Sequence, residues 1–290
     1  MQSTPAHHLR RLLATQQTVM LPGVGDALGA LLAQEAGFPA VAISGYAVAA
    51  SLGYPDIGLV TMSETVECAA RIAASVQIPV IADADNGYGN PLNVGRTVRA
   101  LEAAGAAGFY LEDQCFPKRC GGLPGVELVT EQEMRARLRA ALDVRRDPET
   151  VLIARTDAFN SLGGFDEAIR RACIYKDAGA DVIMVHGLRT VAELRAARLA
   201  ITGPMMLTIG SRTDIPLETL QEIGIQLVMY PLTLLRSSVV AMRRSLDQLR
   251  RDGGINHDTD DMVSMPELHK LVGAERYNAL SQRYAADKED

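Results

Sequence analysis

The chain has 290 residues, 48% of them hydrophobic, and a formal net charge of -6. That length can bury a large core in one domain or two, and about 250 residues is the usual span of a single α/β barrel. There is no basic block and no Trp, which argues against nucleic-acid partners, and no apolar run is long enough to span a membrane.

The segment Met1–Thr18 carries Arg10 and Arg11 but no apolar stretch of signal-peptide length. The four cysteines, Cys68, Cys115, Cys120 and Cys173, are too few and too irregularly spaced for a disulfide scaffold. Cys115 and Cys120 have no histidine beside them, so a zinc site is not expected. A reducing cytoplasm is the expected location.

In chain order, a first apolar run covers Thr18–Val24, and a second, Ala40–Gly45, follows the helix-ending pair Ala36-Gly37. A helical pattern over Ser63–Ser75 leads to the run Pro79–Asp85, and another over Leu92–Ala104 leads through Gly105 to Gly108–Asp113. Glu131–Val144 precedes Val151–Asp157; Asp166–Ala178 leads through Gly179 to Asp181–Gly187. Val191–Ala200 precedes Pro204–Gly210, and Ile223-Gly224 precedes Gln226–Pro231. The glycines Gly37, Gly105, Gly179 and Gly224 each supply a left-handed cap after a helix, and unbroken apolar runs suit strands buried on both faces.

Eight strands alternating with helices predict a parallel (β/α)8 barrel. An open doubly wound sheet is the competing arrangement, but no G-x-G-x-x-G follows the first strand. The reading is one barrel domain over 1–290, with extra helices over about 233–290 (Thr233–Arg251, then Met265–Asp290) and a frayed tip at Asp287–Asp290.

The active site of such a barrel lies at the C-terminal ends of the strands. The third run ends Asp83-Ala84-Asp85, the fourth Glu112-Asp113 and the fifth Arg155-Thr156-Asp157. Residues i and i+2 of a strand share a face, which would turn Asp83 and Asp85 to one site. Oxygen ligands gathered without Cys or His suit Mg2+ or Mn2+. Spacing alone leaves open a second reading, in which these aspartates cap the next helix or pair with Arg155.

After the fourth run comes Gln114-Cys115-Phe116-Pro117-Lys118-Arg119-Cys120-Gly121-Gly122-Leu123-Pro124-Gly125, a glycine-hinged lid. Two basic neighbours are expected to lower the Cys120 thiol pKa. None of the four lysines (Lys118, Lys176, Lys270, Lys288) ends a strand. A Schiff-base aldolase mechanism, which needs a desolvated amine in the barrel mouth, is therefore disfavoured.

Together these residues resemble the isocitrate lyase / phosphoenolpyruvate mutase superfamily, most closely its methylisocitrate lyase-like branch, from about Leu21 to Arg251. Four segments carry the resemblance. They are Ser44-Gly45-Tyr46 with Ser51–Asp56, then Asp83–Gly89, then Glu112-Asp113-Gln114 with Lys118–Gly121, and finally Ala154–Asp157.

The resemblance implies a barrel whose eighth helix is exchanged between subunits of a homotetramer, a dimer of dimers. It implies Mg2+, with Mn2+ as the alternative, held by Asp83, Asp85 and Glu112, the last partly through water. A small carboxylate substrate would lie against Ser44, Gly45, Tyr46, Asp56, Gly121 and Arg155. Cys120, Glu112 and Arg155 would carry the catalysis, a retro-aldol cleavage of a 2-hydroxy di- or tricarboxylate to an α-keto acid and a second carboxylate.

Relatives in this branch read Lys-(Lys/Arg)-Cys-Gly-His in the lid, where this chain ends in Gly122. His186 stands where the sixth strand usually offers Glu, and Thr208 and Gly210 stand where the seventh offers Asn and Ser or Thr. Arg236 is kept. The keto-acid half of the site thus reads as intact and the other half as rebuilt, which favours a 2-alkylmalate over methylisocitrate. His186 is expected to orient the substrate and to change charge between about pH 5 and 8. The alternatives are an oxaloacetate-type decarboxylase or hydrolase and a phosphonate C–P enzyme. Relatives with those activities commonly lack the lid cysteine. A non-catalytic binding barrel would have lost some of Asp83, Asp85, Glu112 and Arg155, and all four are present.

Overall fold

Eight short strands, each fully or largely buried, pair in parallel and in chain order, and β8 closes onto β1. They are β1 Val19–Val24, β2 Val41–Ile43, β3 Val80–Asp83, β4 Gly108–Glu112, β5 Val151–Thr156, β6 Val182–Val185, β7 Met205–Thr208 and β8 Leu227–Tyr230. This closed (β/α)8 barrel is seen in a computed structural model that describes residues 4–15, 17–210, 215–254 and 262–285. The tip Asp287–Asp290 lies outside the described residues.

The helices are α1 Pro5–Ala14, α2 Ala27–Glu35, α3 Gly45–Ser51, α4 Met62–Ser75, α5 Pro91–Ala103 and α6 Glu131–Val144. They continue with α7 Phe165–Asp177, α8 Val191–Ala200, α9 Leu217–Ile223, α10 Thr233–Asp252, α11 Met265–Leu271 and α12 Ala274–Ala285. Polar caps start them: Thr61, Asn90, Thr130 and Thr190 each accept a backbone N–H of the first turn of α4, α5, α6 and α8. Gly105 and Gly224 leave α5 and α9 with φ of 92° and 85°, a geometry that penalises any Cβ.

Strand alternation divides the core in two. Phe109, Leu111, Leu152, Ala154, Ile183 and Val228 face the helices. Leu21, Ala42, Ile81, Tyr110, Val151, Ile153, Val182, Met184, Met206 and Leu227 fill the barrel. The lower end of the barrel is plugged from outside: Leu9 of α1 is fully buried among the barrel-filling residues, with Leu12 and Leu13 beside it.

Two residues beyond the interior apolar layer, the same alternation places Ser44, Asp83, Glu112, Arg155, His186 and Thr208 at the upper mouth. The residues that build the fold and those that build the site are therefore alternate members of the same strands.

The C-terminal segment differs in kind. No residue of α10 is buried, and Val239, Met242, Leu246 and Leu249 are exposed along one stripe at spacings of three and four. No described helix is long and apolar enough to cross a membrane.

Candidate active site

The mouth opens into a cavity of about 680 Å³. Ser44, Gly45, Tyr46, Asp56, Asp83, Glu112, Cys120, Gly121, Arg155, His186 and Thr208 all line it. Asp85 lines a smaller adjoining recess together with Asp83 and Lys118. Arg236 does not join them: it lies exposed in the first turn of α10 and is absent from the cavity lining.

Asp83 and Asp85 do converge, but not by strand alternation. β3 ends at Asp83, and Asp85 lies beyond it with φ of 44°. The turn is closed by the Asp85 N–H donating to Asp83 Oδ1 at 2.9 Å. A left-handed aspartate costs conformational energy that the surrounding fold must offset, and such residues concentrate at functional sites. Neither aspartate caps α5, which Asn90 caps, and neither has an ion pair with Arg155. Gly45 N–H donates to Asp83 Oδ2 at 3.0 Å, and a Cβ on Gly45 would sit 2.4 Å from that oxygen, so this approach requires glycine.

Arg155 is fixed by strand register and by two carboxylates. Glu112 and Arg155 are direct neighbours in the β4–β5 ladder, and Arg155 Nη1 lies 3.2 Å from Glu112 Oε2. Its Nη2 lies 2.8 Å from Asp157 Oδ1, and its Nε is buried without a partner. Behind them Asp113, fully buried, accepts from Thr156 Oγ1 (2.7 Å), the Tyr175 hydroxyl (2.8 Å), the Asp157 N–H (3.0 Å) and Arg171 (3.3 Å).

The lid rises from a pinned stem. Gln114 and Leu128 form an antiparallel bridge, and Val129 N–H donates to Asp113 O. Arg137 of α6 donates to the carbonyls of Asn86 (3.1 Å) and Gln114 (3.0 Å), and Arg171 of α7 to that of Val129 (3.0 Å). Above the stem, Lys118 turns down into the site. Its ammonium pairs with Asp56 and lies 2.7 Å from Asp85 Oδ1, and the residue is only 6% exposed. The sequence reading placed no lysine in the mouth because none ends a strand; this one arrives by a loop. Its carboxylate neighbours hold the ammonium protonated against the cost of burial, so it is no Schiff-base amine.

Cys120 follows, its N–H donating to the Asp56 carbonyl at 2.9 Å. Its thiol is pushed up, not down, because desolvation outweighs the basic neighbours. It is therefore a protonated thiol at neutral pH, a donor rather than a nucleophile. His186 also departs from expectation. Burial, reinforced by Arg155, drives its pKa down to about 4, so it stays neutral from pH 5 to 8. Its Nδ1 is buried without a partner.

The electrostatic balance of the site favours a cation. Asp56, Asp83, Asp85, Glu112 and Asp157 crowd around the ion-paired Lys118 and Arg155. Burial, then the neighbouring Asp85 charge, pushes Asp83 up to about 6, and burial drives Glu112 well above the usual carboxylate range. Glu112 Oε1 and Asp85 Oδ1 are buried without a hydrogen-bond donor; Lys118 approaches the latter outside hydrogen-bonding angles. Among the described residues no three such groups converge at metal-ligand spacing. The hard-oxygen donor set, its excess charge and the two orphaned oxygens nevertheless fit a hard divalent cation.

The sequence matches the family described as Phosphoenolpyruvate phosphomutase over residues 9–250. The chain belongs to that family. It is 41% identical, over 96% of its length and 92% of the relative's, to a probable 2-methylisocitrate lyase 2 of Corynebacterium glutamicum. It is 38% identical to the 2,3-dimethylmalate lyase of Eubacterium barkeri, covering 98% of this chain and 99% of that one. A phosphonopyruvate hydrolase solved with oxalate and Mg2+ superposes with a TM-score of 0.90 at 34% identity, covering 97% of this chain and 99% of that one. This phosphomutase-family barrel thus has relatives named for both C–C and C–P chemistry, and the choice rests on the cavity wall and lid.

That wall is apolar on the β6–β8 side. Met184, Leu188, Leu207, Ile209, Met229 and Leu232 line it, interrupted by His186, Arg189 and Thr208. Gly122 and Gly210, at the positions that differ from the methylisocitrate lyase pattern, also line the cavity and bring no donor side chain to it.

Proposed function

We propose that the chain is a Mg2+-dependent carbon–carbon lyase that cleaves a 2-alkylmalate-type 2-hydroxydiacid to an α-keto acid and a carboxylate. Mn2+ is the alternative metal. The observation that carries this reading is one cavity with two unlike halves: Arg155 and buried carboxylates on one side, an apolar wall on the other, and a protonated Cys120 thiol in the lid.

Asp83, Asp85 and Glu112 would hold the cation, which supplies positive charge where oxygen charge develops. Arg155, oriented by Glu112 and Asp157, binds the carboxylate of the keto-acid fragment. The substrate hydroxyl gives its proton to the unpartnered Glu112 Oε1, its carbon becomes the ketone, and the C–C bond breaks. The electron pair is left on the carbon next to the second carboxylate. The Cys120 thiol delivers its proton to that carbon. The lid excludes water, which would otherwise protonate the carbanion from any direction. The apolar wall takes the alkyl substituent; a third carboxylate placed against Met184, Leu207 and Met229, away from Arg189, would leave its hydration unreplaced.

The test is a panel assayed for keto-acid release with and without Mg2+: a 2,3-dialkylmalate, methylisocitrate and oxaloacetate. The expected order of kcat/KM puts the dialkylmalate first, by about 10²-fold over the tricarboxylate. A clear win for methylisocitrate overturns the substrate class, and one for oxaloacetate overturns the lyase reading. The unburied stripe on α10 supports a further part of the proposal, exchange of this helix between subunits of a homotetramer.

A further inference from the structure

The lid's anchorage contains one side chain that the chemistry above does not use. Gln114, only 1% exposed, is the first residue of the lid segment, in its stem. Its amide clasps the backbone of Arg119 on both sides: Oε1 accepts the Arg119 N–H at 2.8 Å, and Nε2 donates to the Arg119 carbonyl at 2.9 Å. This copies the two-bond pairing of neighbouring strands within a loop. The same Nε2 lies 3.2 Å from Asp157 Oδ2, while Asp157 Oδ1 holds Arg155. Arg119 immediately precedes Cys120. At Gly121 the lid backbone is close enough that a Cβ would sit 2.4 Å from Asp157 Oδ1 and 2.7 Å from Arg155 Nη2.

We propose that Gln114 is a positioning residue: it registers the Cys120 segment of the lid against the Arg155–Asp157 pair. The thiol is thereby aligned over the same carboxylate-binding unit that orients the substrate. Only an amide does this, because the site asks one side chain to accept from Arg119 and to donate both to Arg119 and to a carboxylate. Stem contacts made by Arg137 and Arg171 hold the lid's base whatever Gln114 does. Loss of Gln114 therefore frees the tip and leaves the hinge.

The test uses the full-length protein with Gln114→Met, which keeps the length and removes every hydrogen bond, and Gln114→Glu, which keeps the acceptor and removes both donations. In ligand-free enzyme, iodoacetamide alkylation of each cysteine is followed by peptide mass spectrometry. Cys120 is expected to react at least about tenfold faster in both variants, the factor from losing one or two net hydrogen bonds. Cys68, half-buried on α4 with its thiol donating to the Gly25 carbonyl, should keep its wild-type rate. An unchanged Cys120 rate, or equal acceleration of Cys120 and Cys68 by general loosening, overturns the proposal. This arm needs no substrate, so its failure is distinct from failure of the lyase reading on which the second arm rests. That arm expects kcat to fall about tenfold or more with KM within threefold; an equal loss carried in KM would make Gln114 a binding residue and overturn the positioning role.

Discussion

The Lys118 ammonium lies 2.7 Å from Asp85 Oδ1. A lid residue thus reaches into the acidic recess beyond the end of β3, and its charge partly compensates the carboxylates proposed to bind the metal. Lys118→Met leaves Asp56 and Asp85 buried without that charge, a change that costs about 3–5 kcal/mol when a buried pair is broken. Saturating Mg2+ should restore part of the loss by supplying charge at the same place. The measurement is Tm of variant and wild type in EDTA and in Mg2+. A Tm deficit of the same size in both conditions counts against the shared compensation.

Mg2+ should raise the Tm of the wild type, and activity should vanish in excess EDTA. Asp85→Asn should abolish both effects while the far-UV circular dichroism stays that of a folded barrel. The reason is the orphaned Asp85 Oδ1 beside Asp83, whose ionisation is already penalised in the absence of further positive charge. Full turnover with the metal shown to be removed would refute the metal requirement.

Cys120→Ser should lower cleavage by roughly 10²- to 10⁴-fold, the usual contribution of a positioned acid, and leave inhibition by the keto-acid product nearly unchanged. The thiol must be protonated to act, and desolvation holds its pKa above the ordinary value of about 9.0. The rate should therefore be flat in Cys120 ionisation through neutrality and fall only on the alkaline side of that value. A pH–rate profile that rises with a thiolate between pH 6 and 8 would assign Cys120 a different role.

His186 gives a stability prediction. Its pKa is about 4 in the fold, against 6.5 for the free side chain. The unfolded chain therefore binds the proton more readily. Stability from this group is complete above about pH 6.5 and is lost as pH falls toward 4, by an amount on the order of 3 kcal/mol. His186→Asn should flatten that part of the Tm–pH curve, and kcat should show no inflexion from this group between pH 5 and 8. Parallel acid slopes in the two proteins would rule the effect out.

The barrel was legible because each strand is an unbroken apolar run in which alternate residues serve two different cores. Glu112, Arg155 and His186 could be placed from that periodicity alone, each two residues above an interior side chain. Asp85 was found for a wrong reason, since its direction comes from a left-handed turn that no periodicity encodes. Lys118 and Gln114 were missed as working parts because both act through a loop, where sequence distance from a strand end says little about reach. The thiol and imidazole were misjudged in the same way: adjacent charges are visible in a sequence, and desolvation is not. The helices α1 and α3 escaped too, and α2 and α9 were marked only by the glycines that end them, Gly37 and Gly224.

Leu9 and its helix stopper the barrel from below, so the reaction chamber is a blind well. Under the proposed cleavage, substrate and both fragments would pass through the upper mouth, whose rim includes the segment carrying Cys120. A second product would have no drain at the far end while the first was still in place. Departures would queue past the mouth, so loop residues would govern the traffic of the cycle along with the barrel that surrounds the chemistry.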